Sequence, residues 1–196
     1  MRWSGALRQE ISARNQKIAA LNQSVHELGG GETPSVIFGP DPKGRHGNFH
    51  PVSYRNICVN PRWMKRLAKA HPGSRRAFPR SDWRWRELDC ANSSDALLMN
   101  VFCYQRTLRN ISLCSMLGVA LGLEPEFGYK PGVPLHSGKV DRTEIDLKLG
   151  DLLVEAKLTE NDFQIAPLRL IERHSTAGRG NQQTPVSRPP GDHPPD

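Results

Sequence analysis

Thr143-Glu144-Ile145-Asp146-Leu147-Lys148-Leu149-Gly150-Asp151-Leu152-Leu153-Val154-Glu155-Ala156-Lys157-Leu158 reads as two short strands joined by a Gly-Asp turn. A two-residue hairpin loop fixes the register. Leu149 then faces Leu152, Leu147 faces Val154 and Ile145 faces Ala156, so one face is wholly apolar. On the other face Asp146 stands opposite Glu155, and Glu144 opposite Lys157. Directly opposed residues bring their Cβ atoms to about 4.5–5.5 Å, and like charges there are destabilising unless a cation sits between them. A divalent metal is the obvious cation. The plain alternative is a solvent-facing hairpin with cross-strand ion pairs such as Glu144 with Lys157, but a purely structural face would avoid opposing Asp146 to Glu155.

Asp146, eight intervening residues and Glu155-Ala156-Lys157 form an Asp…Glu-x-Lys arrangement. Mg²⁺ takes hard oxygen ligands in octahedral geometry and keeps several of its waters; Mn²⁺ suits the same donors. Asp146 and Glu155 would each give one oxygen and the Ala156 carbonyl a third. A metal held there polarises a scissile phosphate and acidifies the attacking water. Lys157, one pleat beyond Glu155, would hold or deprotonate that water, or stabilise charge developing on the phosphate. Glu144 shares the face and would position Lys157 or reach a second metal.

Upstream, residues 61–88 are basic and aromatic. Arg62, Lys65, Arg66, Lys69, Arg75, Arg76, Arg80, Arg84 and Arg86 alternate with Trp63, Phe78, Trp83 and Trp85. Such cations neutralise phosphates and such rings stack on bases, so these are the candidate nucleic-acid-binding residues. A solvated basic surface with tryptophans as core anchors is the competing reading. The net charge of +7 makes an anionic partner reasonable without naming one.

Between the two segments, Ser93-Ser94-Asp95 opens a helix: either serine can cap it, and Asp95 suits the positive end of the dipole. Ile111 to Leu123 is apolar nearly all round and predicts a buried helix. Phe127 to Tyr129 predicts a short strand, after which Pro131, Gly132 and Pro134 impose a loop. Beyond the hairpin, Thr159 is placed to cap a last helix. At the other end, Leu7, Ile11, Ile18, Leu21, Val25 and Leu28 predict an amphipathic helix over 5–28 that the Gly29-Gly30-Gly31 run terminates. That helix would dock on a neighbouring segment or pair with a second copy as a homodimer.

No run approaches the roughly eighteen apolar residues of a membrane span, and the N-terminus lacks a signal-peptide core. Four scattered cysteines without a Cys-x-x-Cys pair suggest free thiols in a cytoplasmic protein. His46 and His50 lie four apart with Cys58 nearby, but Gly47 and Pro51 oppose a helix there and no paired cysteines follow, which speaks against zinc.

Asp146, Glu155 and Lys157 on adjacent strands resemble the PD-(D/E)xK nuclease superfamily. The phrases Trp85-Arg86-Glu87-Leu88-Asp89, Ser93-Ser94-Asp95-Ala96-Leu97-Leu98-Met99-Asn100 and the hairpin through Glu160-Asn161-Asp162-Phe163-Gln164 extend the resemblance to a bacterial restriction-endonuclease-like family, over residues 45–171. It implies an α/β fold with a restriction-endonuclease-like α-β-β-β-α-β core, Mg²⁺ dependence and hydrolysis of DNA phosphodiesters. It also implies that Gln164 faces the site from the following helix, against the alternative of an ordinary polar helix residue. Asp95 and Glu87 are read as capping or surface residues, with a further acid for the site as the alternative. Ile145 stands where the superfamily usually has Pro before Asp146, a variation it tolerates.

The fourth core strand finds no place before the chain turns Pro-rich and polar, so a C-terminally truncated member with an exposed strand edge is expected. The chain accordingly divides into an N-terminal amphipathic helix at 1–28, a linker or loop region at 29–60, a nuclease-like domain with its basic aromatic entry segment at 61–173, and a disordered tail at 174–196. The expected function is a metal-dependent endonuclease. The rivals are an inactive relative that still binds DNA through 61–88, and an interaction protein assembled through its N-terminal helix.

Overall fold

The computed structural model describes residues 3–30, 32–70, 82–135 and 137–159. Arg75, Arg76, Arg80, Gln164, the expected last helix and the Pro-rich tail lie outside the described residues.

Helix α1 spans Trp3–Leu21, ending well before the glycine run. Gln23 takes φ 50°, its N–H donates to the Ala20 carbonyl (3.2 Å), and the Ser24 N–H donates to the Ala19 carbonyl (2.9 Å). This is the Schellman closure usually given to glycine; here a glutamine makes it, so residues 22–28 are not helical. The chain reverses into β1 (His26–Leu28), which pairs antiparallel with β2 (Val36–Phe38), Glu27 opposite Ile37. β2 is wholly buried. Ala19 packs on Val36 and Phe38, and the Ser12 hydroxyl donates to the Pro34 carbonyl (2.5 Å). Small residues let the helix approach the hairpin closely, so Ser12 and Ala19 form its buried face. The apolar stripe of Ile18, Leu21, Val25 and Leu28 is exposed instead.

The stretch expected as linker holds β2 and also helix α2 (Pro51–Val59). Proline at the first helical position and a capping side chain start the next helices. His50 accepts from the Val52 N–H at the head of α2, and Asn60 from those of Arg62 and Trp63 at the head of α3 (Pro61–Met64). These fit the missing N–H of proline and the orphan donors of a first turn. A 3-10 turn, Lys65–Ala68, follows. Helix α4 (Ser94–Phe102) is capped by Ser93, which accepts from the Ala96 N–H (3.2 Å). Helix α5 is only Ile111–Leu117: Gly118 closes it in the left-handed region at φ 66°, and Cys114 is its one buried residue. The expected longer, buried helix is thus cut short, and Ile111 and Met116 face solvent.

Helix α4 carries core on two sides. Ala96, Met99 and Cys103 pack with Phe49, Ile57, Leu67 and Leu88. Leu98 packs with Leu108, Cys114, Leu147 and Leu149, and Phe127 joins both clusters. After α5 comes β3 (Glu126–Tyr129). Residues 131–143 belong to a separate compact unit, where β4 (Val133–Pro134) pairs antiparallel with β5 (Val140–Asp141). The chain then returns through β6 (Ile145–Leu149) and β7 (Leu152–Val154), completing an antiparallel sheet in the order β3-β6-β7. Leu147 and Leu149 are fully buried, each worth about 1.5–3 kcal/mol of hydrophobic stabilisation. Among the described residues no helix is long and apolar enough to cross a membrane. All four cysteines are unpaired, with only Cys58 exposed.

Candidate functional site

The hairpin folds in the register its sequence dictates: Leu147 opposite Val154, Lys148 opposite Leu153 and Leu149 opposite Leu152. Gly150, at φ 58°, makes the turn. Beyond Val154 the ladder gives way to a side-chain contact, in which an Asp146 carboxylate oxygen accepts the Ala156 N–H at 2.8 Å. That bond fixes Asp146 beside the segment carrying Glu155 and Lys157, whose own Oε1 and Nζ are 2.5 Å apart. Burial pushes the Asp146 carboxyl above its ordinary range. The Ala156 N–H opposes the rise, while the charges of Asp95 and Glu155 add to it. Three carboxylates from three segments therefore feel one another.

Glu144 has a different neighbourhood from Lys157. Its Oε1 accepts from Arg66 Nη1 (2.7 Å), and Lys69 and Lys130 lie 3.7 and 3.6 Å away. Burial works upward on Glu144, but the Arg66 guanidinium prevails and holds its carboxyl below the usual value. The other arm of the same guanidinium reaches Asp95 at 2.7 Å, and Lys69 reaches that Asp95 oxygen at 2.5 Å. Asp95 is 5 % exposed and Arg66 13 %. Glu87 lies 3.4 Å from Lys69, and its own burial raises its carboxyl.

Asp95 and Glu87 thus join the site group rather than a cap or the surface; the cap is Ser93. A signal for Asp95 was present, since residues three and four further on, Leu98 and Met99, lie on the buried stripe of α4. Gly128 supplies the room. It sits in β3 between the pairs Phe127–Leu147 and Tyr129–Ile145, opposite Asp146, with φ 66°. A Cβ there would collide with Arg66, 2.8 Å from Cζ, and stand 3.1 Å from the Glu144 carboxyl carbon.

The basic segment divides by neighbourhood. Arg66 and Lys69 turn toward acids, Arg84 pairs with Asp82 (2.5 Å) and Glu27 (3.3 Å), and Arg86 donates to His46 Nε2 (2.9 Å). His46 Nδ1 faces Asp89 at 2.8 Å, while His50 caps α2. Arg62 and Lys65 are exposed, Arg62 lying 3.3 Å from Glu124. Among the described residues no three His, Cys, Asp or Glu side chains converge closely enough to enclose a metal by themselves. Among the described residues the cluster sets five carboxylates (Glu87, Asp95, Glu144, Asp146, Glu155) against four cations (Arg66, Lys69, Lys130, Lys157).

The family model described as "Restriction Endonuclease associating with ARP" matches residues 24–184. The chain belongs to this REase-ARP family. The match takes in both antiparallel hairpins of the main unit, α4 and every carboxylate of the cluster, and leaves α1 outside. The REase-ARP family is restriction-endonuclease-like. No curated protein and no solved structure matches the chain significantly.

Proposed function

We propose that this REase-ARP chain is a metal-dependent endonuclease that hydrolyses DNA phosphodiester bonds through a PD-(D/E)xK-type site. The carrying observation is Asp146: a half-buried carboxylate, tied to the Ala156 N–H, whose affinity for a proton is raised by burial and by neighbouring carboxylates. Such a group favours a nearby cation. The order α4, α5, β3, β6, β7 supports an α-β-β-β core.

The donor set fits Mg²⁺ or Mn²⁺. Mg²⁺ is usually held by one or two carboxylates and keeps several waters, which suits two acids without a closed cage. Asp146 and Glu155 would hold it, with the Ala156 carbonyl as third oxygen. When bound, the metal polarises the phosphate and acidifies water.

The rest falls to the chain's own residues. Lys157 Nζ, now on Glu155, holds the attacking water or meets the charge developing on the phosphate oxygens. Arg66 and Lys69 pair with Asp95 and Glu144, so most of the charge of those acids is compensated beside Asp146. Glu144 on this reading positions Arg66, and Gln164 remains a proposed contributor from the segment after Thr159. Arg62, Lys65 and the arginines outside the described residues are the proposed phosphate contacts.

The test is plasmid cleavage with Mg²⁺ or Mn²⁺ against an EDTA control. Asp146→Asn, Glu155→Gln and Lys157→Ala should each abolish cleavage while DNA binding persists. Intact plasmid together with no calorimetric metal binding sinks the enzyme, and retained salt-sensitive DNA affinity would then leave a non-cleaving binder.

A further inference from the structure

Two pockets meet at Trp63 and Pro125, beside the carboxylate cluster. The larger, about 400 Å³, is walled by Trp63, Phe102 and Tyr104, with Asn56, Gln105 and Arg109 on its polar side. That volume lies within the roughly 300–1,000 Å³ in which proteins hold small organic groups. The smaller, about 220 Å³, lies between Arg62, Trp63, Phe127, Tyr129 and Lys130. Gly128 also lines it, and Gly128 abuts both Arg66 and Glu144.

The walls are fixed. The Trp63 indole N–H donates to the Pro125 carbonyl (2.9 Å), and its ring meets Phe127 edge-on at 6.1 Å. Tyr104 packs edge-on against His50. Asn56 donates to the Cys103 carbonyl (2.8 Å) and accepts from Gln105 (3.3 Å). The cations at the rim are exposed, Arg62 by 72 % and Lys130 by 56 %, each beside one acid, Glu124 at 3.3 Å and Glu144 at 3.6 Å, and Arg109 is exposed as well. Rigid aromatic walls with cations at the mouth suit unpaired nucleotides, whose bases can stack while their phosphates meet the charges. A duplex keeps its bases stacked inside and could use only the cations.

We propose that this double pocket around Trp63 seats unpaired bases of a DNA strand that leads to the carboxylate site, so that the substrate is single-stranded or locally opened DNA. The proposal rests on DNA being the substrate, as above, and names which form of it.

The test uses the full chain in EDTA, so that nothing is cut. Anisotropy compares a labelled single-stranded oligonucleotide with the same sequence as duplex. The single strand should bind more tightly. Tyr104→Ala should weaken it by about fivefold or more, one lost stack, with Tyr104→Phe unaffected and the duplex unchanged. Arg109→Gln, a surface change, should reduce the slope of log affinity against log salt by about 0.7 for the single strand. Equal or tighter duplex binding, or single-strand affinity indifferent to both Tyr104→Ala and Arg109→Gln, overturns the proposal. Plasmid cleavage without single-strand preference overturns this proposal and spares the nuclease; single-strand preference without metal-dependent cleavage does the reverse.

Discussion

Arg66→Met is the sharpest probe of how the site is held. Methionine keeps most of the length and removes the fork that joins Asp95 and Glu144, each at 2.7 Å. Taking one partner from a buried ion pair costs about 3–5 kcal/mol, because the remaining charge is stranded. Here the lower end applies, about 3 kcal/mol, since Lys69 still reaches Asp95 at 2.5 Å and Lys130 lies 3.6 Å from Glu144. At about 2–4 °C per kcal/mol for a chain of this size, the melting temperature should fall by about 6–12 °C. Lys130→Met is the control: its ammonium is 56 % exposed, and exposed pairs contribute about 0–1 kcal/mol. Circular dichroism melts and urea titrations read both variants. If Arg66→Met melts within about 2 °C of the parent, or no more than Lys130→Met, the buried fork does not hold the fold together.

Gly128→Ala combines a left-handed backbone with a Cβ that displaces the Arg66 guanidinium; a loss of about 1–3 kcal/mol is expected, and Arg66→Met should cost less in that background than alone when both are measured in urea. Leu147→Ala, at a fully buried position, should cost about 2–5 kcal/mol, whereas Leu153→Ala on the exposed face should stay within about 0.5 kcal/mol; a hairpin slipped by one residue would reverse that order. Asp146 has a raised folded-state pKa, so its ionisation opposes folding: the stability linked to its proton is complete below the unfolded pKa and is lost as pH rises through the folded one. Asp146→Asn should therefore be more stable than the parent at neutral pH, with the difference vanishing in acid. Urea denaturation at a series of pH values checks this, and a stability difference between Asp146→Asn and the parent that stays constant across the series would refute the assignment.

Local rules carried the hairpin. Gly150-Asp151 sets a two-residue loop, and the alternation from Ile145 to Ala156 leaves one register with a dry face. The caps Ser93 and Asn60 follow the same short-range logic. The misreadings came where a tertiary contact outweighed a pattern. The stripe of Ile18, Leu21, Val25 and Leu28 looked like one helix face, yet the small residues Ser12 and Ala19 meet the β1-β2 hairpin and Gln23 turns the chain early. Glycine and proline in 29–60 punctuate β2 and α2 rather than dissolve them. Asp95 and Glu87 were legible as acids but not as neighbours of Asp146, because their meeting depends on α4 being packed on both faces and on an arginine 29 residues before Asp95 threading past Gly128.

The charge of the assembled cluster gives the nuclease reading its internal consistency. Among the described residues, five carboxylates against four cations leave a formal charge of −1. The uncompensated charge falls where Asp146 is buried near Asp95 and Glu155, since Glu144 and Asp95 are already met by Arg66 and Lys69. A divalent ion there makes the whole +1, and one phosphodiester brings it to zero. Neither ligand alone balances the site: metal without phosphate leaves an excess positive charge in a half-buried place, and phosphate without metal doubles the negative one. If the site takes both a metal and DNA as proposed, the same arithmetic makes the two affinities cooperative. Mg²⁺ should bind more tightly in the presence of an uncleavable oligonucleotide, and by linkage the oligonucleotide should gain from Mg²⁺ by the same factor. Titration calorimetry in both orders measures that factor. It should collapse toward one in Asp146→Asn, which removes a carboxylate proposed to hold the metal through which the phosphate would be drawn in. An unchanged coupling in that variant would mean that the metal and the phosphate meet somewhere other than the hairpin.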